Sequence, residues 1–241
     1  MSLTVVKGLQ SEIFVPVTPP PVWAPVKKEL KDMTIALATA AGVHHKEQKR
    51  FNLAGDFTWR KITDKMPSDE LMVSHGGYDN SDVNKDINCM FPIDRIHELA
   101  KEGFIKACAP VHAGFMGGGG NQEKFKHETG PAIAKMFVEE GVDAVILTAG
   151  LGTCHRSAVL VQRAIEAAGI PTIIIAALPP VVRQTGTPRA VAPRVPMGAN
   201  AGEPHNVEMQ TGIVKATLEQ LVKLDTPGKV VPLPFEYVAK V

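Results

Sequence analysis

Residues 142–158 read VDAVILTAGLGTCHRSA, and this stretch decides the fold class. The run 142–148 is short, apolar and rich in β-branched residues, the pattern of a strand buried on both faces. A turn bracketed by Gly150 and Gly152 follows, and apolar residues at spacings of three and four from Ala158 to Ala168 then predict a helix. A buried strand passing through a glycine turn into a helix is the repeating unit of α/β proteins, which bind ligands outside the carboxyl ends of their strands. Cys154 opens the helix. Unpaired N–H groups and the positive end of the helix dipole favour thiolate there, against the alternative that the side chain simply packs. Leu151 is the anomaly, because it stands where a C-x-x-C pair would place its first, attacking atom.

Working outward, apolar runs at residues 34–41, 71–74, 104–111 and 172–178 predict further strands. Helical spacing marks residues 93–101, 131–140 and about 207–224, and Gly103, Gly141 and Gly169 fall where left-handed helix caps are expected. Strands and helices in alternation, with short connections, predict a doubly wound, mostly parallel sheet with helices on both faces, in one domain over residues 33–227. Residues 178–204, rich in proline, glycine and arginine, are expected to form a long loop over the sheet's carboxyl edge. Residues 1–32 carry Pro16, Pro19, Pro20, Pro21 and Pro25 and predict an extended N-terminal arm. Residues 228–241, with Pro232 and Pro234, predict a C-terminal arm. Two such arms suggest an assembly.

A length of 241 residues, 44% of them hydrophobic, allows a real core, and a net charge of +1 gives no support to a nucleic-acid or membrane-surface role. No window approaches the roughly 18 apolar residues of a spanning helix. The opening MSLTVVKGLQSE lacks a secretory pattern, so a cytoplasmic location is expected. Cys89, Cys108 and Cys154 are too few and scattered for a disulfide framework or a zinc site. The glycines at Gly150 and Gly117 begin incomplete G-x-G-x-x-G patterns, each without its third glycine, and no phosphate-binding P-loop is present. No metal or cofactor is expected on this chain.

Three glycine-rich loops are expected to converge at one sheet edge: residues 75–80 (HGGYDN), 116–121 (MGGGGN) and 150–155 (GLGTCH). His75 and His112, near strand ends, are candidates for proton transfer, and His155 could tune the thiol or face water. Arg183, Arg189 and Arg194 could clamp a carboxylate or lie on solvated surface. Cys89 and Cys108 read as core thiols.

The segments AGLGTCHRSA (149–158), VSHGGYDNSDVNKDINCMFPID (73–94), GFMGGGGNQEKF (114–125) and APRVPMGANAGEP (192–204) resemble the selenoprotein subunits of the glycine, sarcosine, betaine and D-proline reductase family. The likeness covers nearly the whole chain. It implies selenocysteine at the position of Leu151, paired with Cys154 as Sec-x-x-Cys. It also implies reductive C–N cleavage, for D-proline a ring opening to 5-aminopentanoate, with electrons from a dithiol-type donor and a pyruvoyl group on a partner subunit. Position 151 would be the nucleophile and Cys154 the resolving thiol. Leucine can neither attack carbon nor accept electrons, so the chain with Leu151 is expected to be silent. Leu151 then reflects a substitution that avoids selenocysteine insertion, a stand-in for that residue, or a naturally inactive copy. Two other readings compete: a cofactor-independent amino-acid racemase using Cys154 with Cys89 or His75, and a non-catalytic assembly subunit.

Overall fold

The computed structural model describes residues 22–238. Its strands are β1 (Thr34–Thr39), β2 (Val43–His45), β3 (Trp59–Thr63), β4 (Leu71–Val73), β5 (Ala107–Cys108), β6 (Val111–Phe115), β7 (Ala144–Thr148), β8 (Thr172–Ile175), β9 (Arg189–Arg194) and β10 (Lys229–Glu236). Its helices are α1 (Ser81–Lys85), α2 (Ile93–Lys101), α3 (Gln122–Lys124), α4 (Gly130–Glu139), α5 (Gly152–Ala167), α6 (Pro179–Thr185) and α7 (Val207–Lys223).

Apolar runs become central strands because alternate side chains enter different helix layers. Ile35 and Leu37 of β1, Ile146 of β7, and Ile173 and Ile175 of β8 pack with Ile96 and Leu99 of α2 and with Ile213 and Leu218 of α7. On the other face, Ala36, Ala38, Val145, Leu147 and Ile174 meet Ile133 and Phe137 of α4 and Val159 and Ile165 of α5. Each fully buried Ile, Leu or Val contributes about 1.5–3 kcal/mol. The main sheet runs β10-β9-β8-β7-β1-β6-β3, with β5 also paired to β1. Every pairing is parallel except that of β3 with β6. The doubly wound, mostly parallel α/β class expected from the sequence is the one observed.

Several local expectations are corrected. The run 71–74 forms β4, which pairs antiparallel with β2 in a separate two-stranded ribbon. Met72 and Val73 stay half-buried, as suits a ribbon covered on one face. The run 104–111 is split, β5 ending before Pro110 and β6 starting after it. The segment 178–204 is no structureless loop, since it holds α6 and β9. Prolines at the first turn of α6 are tolerated because those N–H groups have no helical partner. The expected C-terminal arm is extended, but residues 229–236 are β10, pairing parallel with β9. Pro232 and Pro234 fit there because β10 is an edge strand. β3, WRKIT, is an unpredicted edge strand with Ile62 as its one buried side chain.

Most of the expected N-terminal arm, including Pro16, Pro19, Pro20 and Pro21, lies outside the described residues. Its end lies on the body. The Arg189 guanidinium stacks 3.4 Å from the Trp23 ring centroid, and the Ala24 N–H donates to Glu166 at 2.5 Å. Among the described residues, no helix is long and apolar enough to cross a membrane.

Candidate functional site

After β1 the chain builds β3, β5 and β6 to one side, whereas after β7 it builds β8, β9 and β10 to the other. Adjacent strands whose continuations diverge leave a crevice at their carboxyl ends. The three glycine loops meet at the crevice between β1 and β7. Gly117 lies against Cys154, and Gly77 and His75 lie beside Leu151 and Cys154.

Leu151 is the extended N-cap of α5, with φ −85° and ψ −177°, and Cys154 is the helix's third residue. The N-cap and the third helical residue are one turn apart, the spacing at which each side chain of a capping box reaches the other's backbone. Leu151 is half-buried, and Cys154 is fully buried against the Gly117 loop.

The His75 Nε2 lies 2.9 Å from the Cys154 sulfur. The Gly77 N–H donates to His75 Nδ1 at 3.0 Å, so in the neutral ring the proton sits on Nε2 and points at sulfur. Backbone groups of Leu151, Gly117 and Gly150 also hydrogen-bond the sulfur and hold its pKa down, but burial prevails and pushes the thiol up to about 12. Burial alone pushes His75 down to about 4. At neutral pH the pair is a thiol and an uncharged imidazole. The expectation of a helix-activated thiolate is therefore corrected. A rise from 9.0 to about 12 corresponds to about 4 kcal/mol, against ~0.3–1 kcal/mol from a typical helix dipole.

The surrounding shell is closely fitted. Tyr78 donates its hydroxyl to the Ala41 carbonyl at 2.9 Å, and its ring covers Gly150 so tightly that a Cβ there would lie inside it. The Asn80 amide donates to the His75 carbonyl at 2.6 Å. Ser157 donates to the Gly117 carbonyl at 2.8 Å and accepts from Gln122 at 3.1 Å, tying the second loop to α5. Asn200 donates to the carbonyls of Ala149 at 3.0 Å and Ile175 at 2.8 Å, joining the tips of β7 and β8. Sequence reasoning missed Tyr78, Ser157 and Asn200. Their signal was a polar residue set among glycines and alanines.

His155 does not serve the thiol. Its Nδ1–H donates to the Leu151 carbonyl at 2.8 Å, and its Nε2 accepts from the N–H groups of Ala177 at 3.1 Å and Leu178 at 3.3 Å. Both nitrogens are engaged, and burial lowers its pKa to about 4. His112 is also remote. It is buried near the start of β6, accepts the Leu37 N–H at 2.9 Å on Nδ1, and is pushed down to about 3 by burial. Cys89 is buried in the core on the opposite sheet face from Cys154, so these two cysteines do not form an opposed acid–base pair. Cys108 is half-buried beside His112.

The arginine clamp is not assembled. Arg189 forms a fully buried ion pair with Glu166 at 2.6 Å, Arg194 is exposed and 3.6 Å from Glu236, and Arg183 is exposed on α6. Among the described residues, no group of three or more His, Cys, Asp or Glu is placed to hold a metal ion.

The model for glycine/sarcosine/betaine reductase selenoprotein B matches residues 7–150. The chain is 74% identical to D-proline reductase subunit gamma of Acetoanaerobium sticklandii, over 99% of each chain. It is 34% identical to sarcosine reductase complex component B subunit beta of Peptoclostridium acidaminophilum and 33% identical to glycine reductase complex component B subunit gamma of Carboxydothermus hydrogenoformans. Each of those matches covers 75% of this chain and 42% of the relative, so the chain spans less than half the length of these two. No solved structure matches the chain. Identity at this level over this much sequence, together with the family match, places the chain in the glycine/sarcosine/betaine reductase selenoprotein B family.

Proposed function

We propose that this chain is the selenoprotein-type subunit of a D-proline reductase, with selenocysteine at position 151 in the active form and Cys154 as its resolving thiol. One observation supports the reading: position 151 is the N-cap of α5 and Cys154 its third residue, the spacing of a Sec-x-x-Cys pair, at the β1/β7 crevice. The 74% identity to a D-proline reductase subunit supports D-proline as the substrate.

The chemistry divides one difficult displacement into two. A pyruvoyl group on the partner subunit would hold the proline nitrogen as a better leaving group. A selenolate at position 151 attacks the α-carbon, forming a Se–C bond as the C–N bond breaks and its electron pair leaves with nitrogen. Cys154 sulfur then attacks selenium. The Se–S bond forms, the Se–C electron pair returns to carbon, and carbon takes the proton that sulfur gives up. A dithiol donor returns two electrons to the selenenylsulfide. Placing the second sulfur one turn away makes its attack intramolecular.

Position 151 fits this role. A selenocysteine side chain is smaller than leucine and would lie within the volume Leu151 fills beside Gly77. With leucine there the first attack has no nucleophile, and the chain is inactive.

The test is turnover of D-proline by the complex with its pyruvoyl-bearing subunit and a dithiol, read as 5-aminopentanoate. The Leu151 form should give none, Leu151→Cys slow turnover, and selenocysteine at 151 the full rate. Adding Cys154→Ser to the selenocysteine form should trap a covalent adduct visible by intact mass. Turnover by the Leu151 form, or a selenocysteine form that makes neither product nor adduct, would sink the reading.

A further inference from the structure

The hydrogen bonds around Cys154 run toward the sulfur. His75 presents Nε2–H at 2.9 Å, fixed in that tautomer because Nδ1 already accepts the Gly77 N–H. Backbone groups of Gly117, Gly150 and Leu151 add to the set. The ring itself is held. Asn80 anchors the His75 carbonyl, and the Tyr78 ring packs 4.9 Å away at 55°. A buried sulfur faced by a fixed donor resembles one arm of an oxyanion hole, where a fixed dipole awaits a charge that develops only during reaction. The other titratable groups nearby do not compete. Tyr78, from the same loop as His75, donates its hydroxyl to the Ala41 carbonyl, and burial raises its pKa. His155, next on α5, is spent on Leu151, Ala177 and Leu178.

We propose that His75 is a third catalytic residue of this site, a fixed hydrogen-bond donor that stabilises negative charge on the Cys154 sulfur without itself gaining or losing a proton. The proposal rests on the reductase reading for its place in the reaction. When Cys154 attacks selenium, charge passes through its sulfur. When the dithiol donor later attacks selenium, the Se–S bond breaks and its electron pair leaves with the Cys154 sulfur. His75 Nε2–H faces the sulfur at both moments. It cannot serve as the base in this geometry. A second ring proton would have to sit on Nδ1, against the Gly77 N–H, and would bury a charge; burial already holds the imidazole neutral, down to about 4.

The experiment needs neither partner nor proline, so its failure is distinct from that of the reductase reading. In the full chain carrying Leu151→Cys, the 151–154 disulfide is formed and then reduced with dithiothreitol under stopped flow. Attack falls on the half-buried sulfur 151 and expels Cys154, whose leaving rate depends on how well its charge is received. Replacing the donor with His75→Leu should slow reduction about tenfold or more, as expected for a lost hydrogen bond to a charged group. His75→Gln, which keeps an N–H but cannot titrate, should stay within about threefold of the parent. Equal rates for His75→Leu and the parent would overturn the donor role, and a glutamine variant as slow as leucine would show that the ring's titration matters. Nitrogen NMR of the unsubstituted chain is the second measurement, independent of folding in any variant. It should show His75 as the Nε2–H tautomer through neutral pH, and an Nδ1–H ring or a titration near neutrality would overturn the proposal.

Discussion

Gly117 shows how little room the site leaves for change. A Cβ there would lie 2.7 Å from the Cys154 Cα and 2.9 Å from the Ala40 Cβ, so either the first turn of α5 or the end of β1 must move. Gly117→Ala should cost about 1–3 kcal/mol in urea unfolding, the usual range for overpacking. Gly76→Ala is the control, because its Cβ would meet only Leu53 at 4.0 Å, and it should change stability by less than about 0.5 kcal/mol. At this scale the sequence singled out Cys154 at a helix start but misjudged the field around it. Cys154 near a helix N-terminus reads as a thiolate when the helix alone is considered. The loops carrying Gly117 and Tyr78 roof it, and their conformation is a tertiary fact that residue types along the chain do not state.

Among the elements, the start of α5 is set by a neighbour. His155 links the Leu151 carbonyl to the N–H groups at Ala177 and Leu178, so the turn after β7 and the turn after β8 share one imidazole. His155→Leu should leave those two amides without a buried partner, and hydrogen exchange at Ala177 and Leu178 should quicken by about tenfold or more. His155→Asn, with a shorter reach, should fall between that variant and the parent. Central elements were legible because both faces of β1, β7 and β8 are buried and leave unbroken apolar runs. The edges were not. β3 needs only Ile62 inside, β10 carries two prolines, and α6 begins with two more, so each reads as a loop in a hydropathy pattern. The convergence of the loops after β6 and β7 followed from the alternation of strands and helices, whereas the loop 75–80 reaches the same edge from the separate β2/β4 ribbon. The pairing of His75 with Cys154, 79 residues apart, was not legible.

The whole molecule carries several uncharged histidines inside. Burial lowers His75 and His155 from 6.5 to about 4 and His112 to about 3. The unfolded chain therefore binds more protons than the folded one as pH falls below about 6.5, and folding stability is lost progressively down to about pH 4. Each histidine adds about 1.4 kcal/mol per pH unit within that window, so three together give a slope of about 4 kcal/mol per unit near pH 5. Urea unfolding at stepped pH should show this decline, and a flat profile from about pH 7 to about pH 5 would contradict neutral burial. The borders of the main sheet set a different boundary. At β3 the Lys61 carbonyl is taken by the Gln48 amide, while at β10 two prolines remove N–H groups from the ladder. Neither border offers an uninterrupted row of hydrogen-bonding groups to an incoming strand. Among the described residues, both borders of the main sheet are thus poor templates for extending it into a second one.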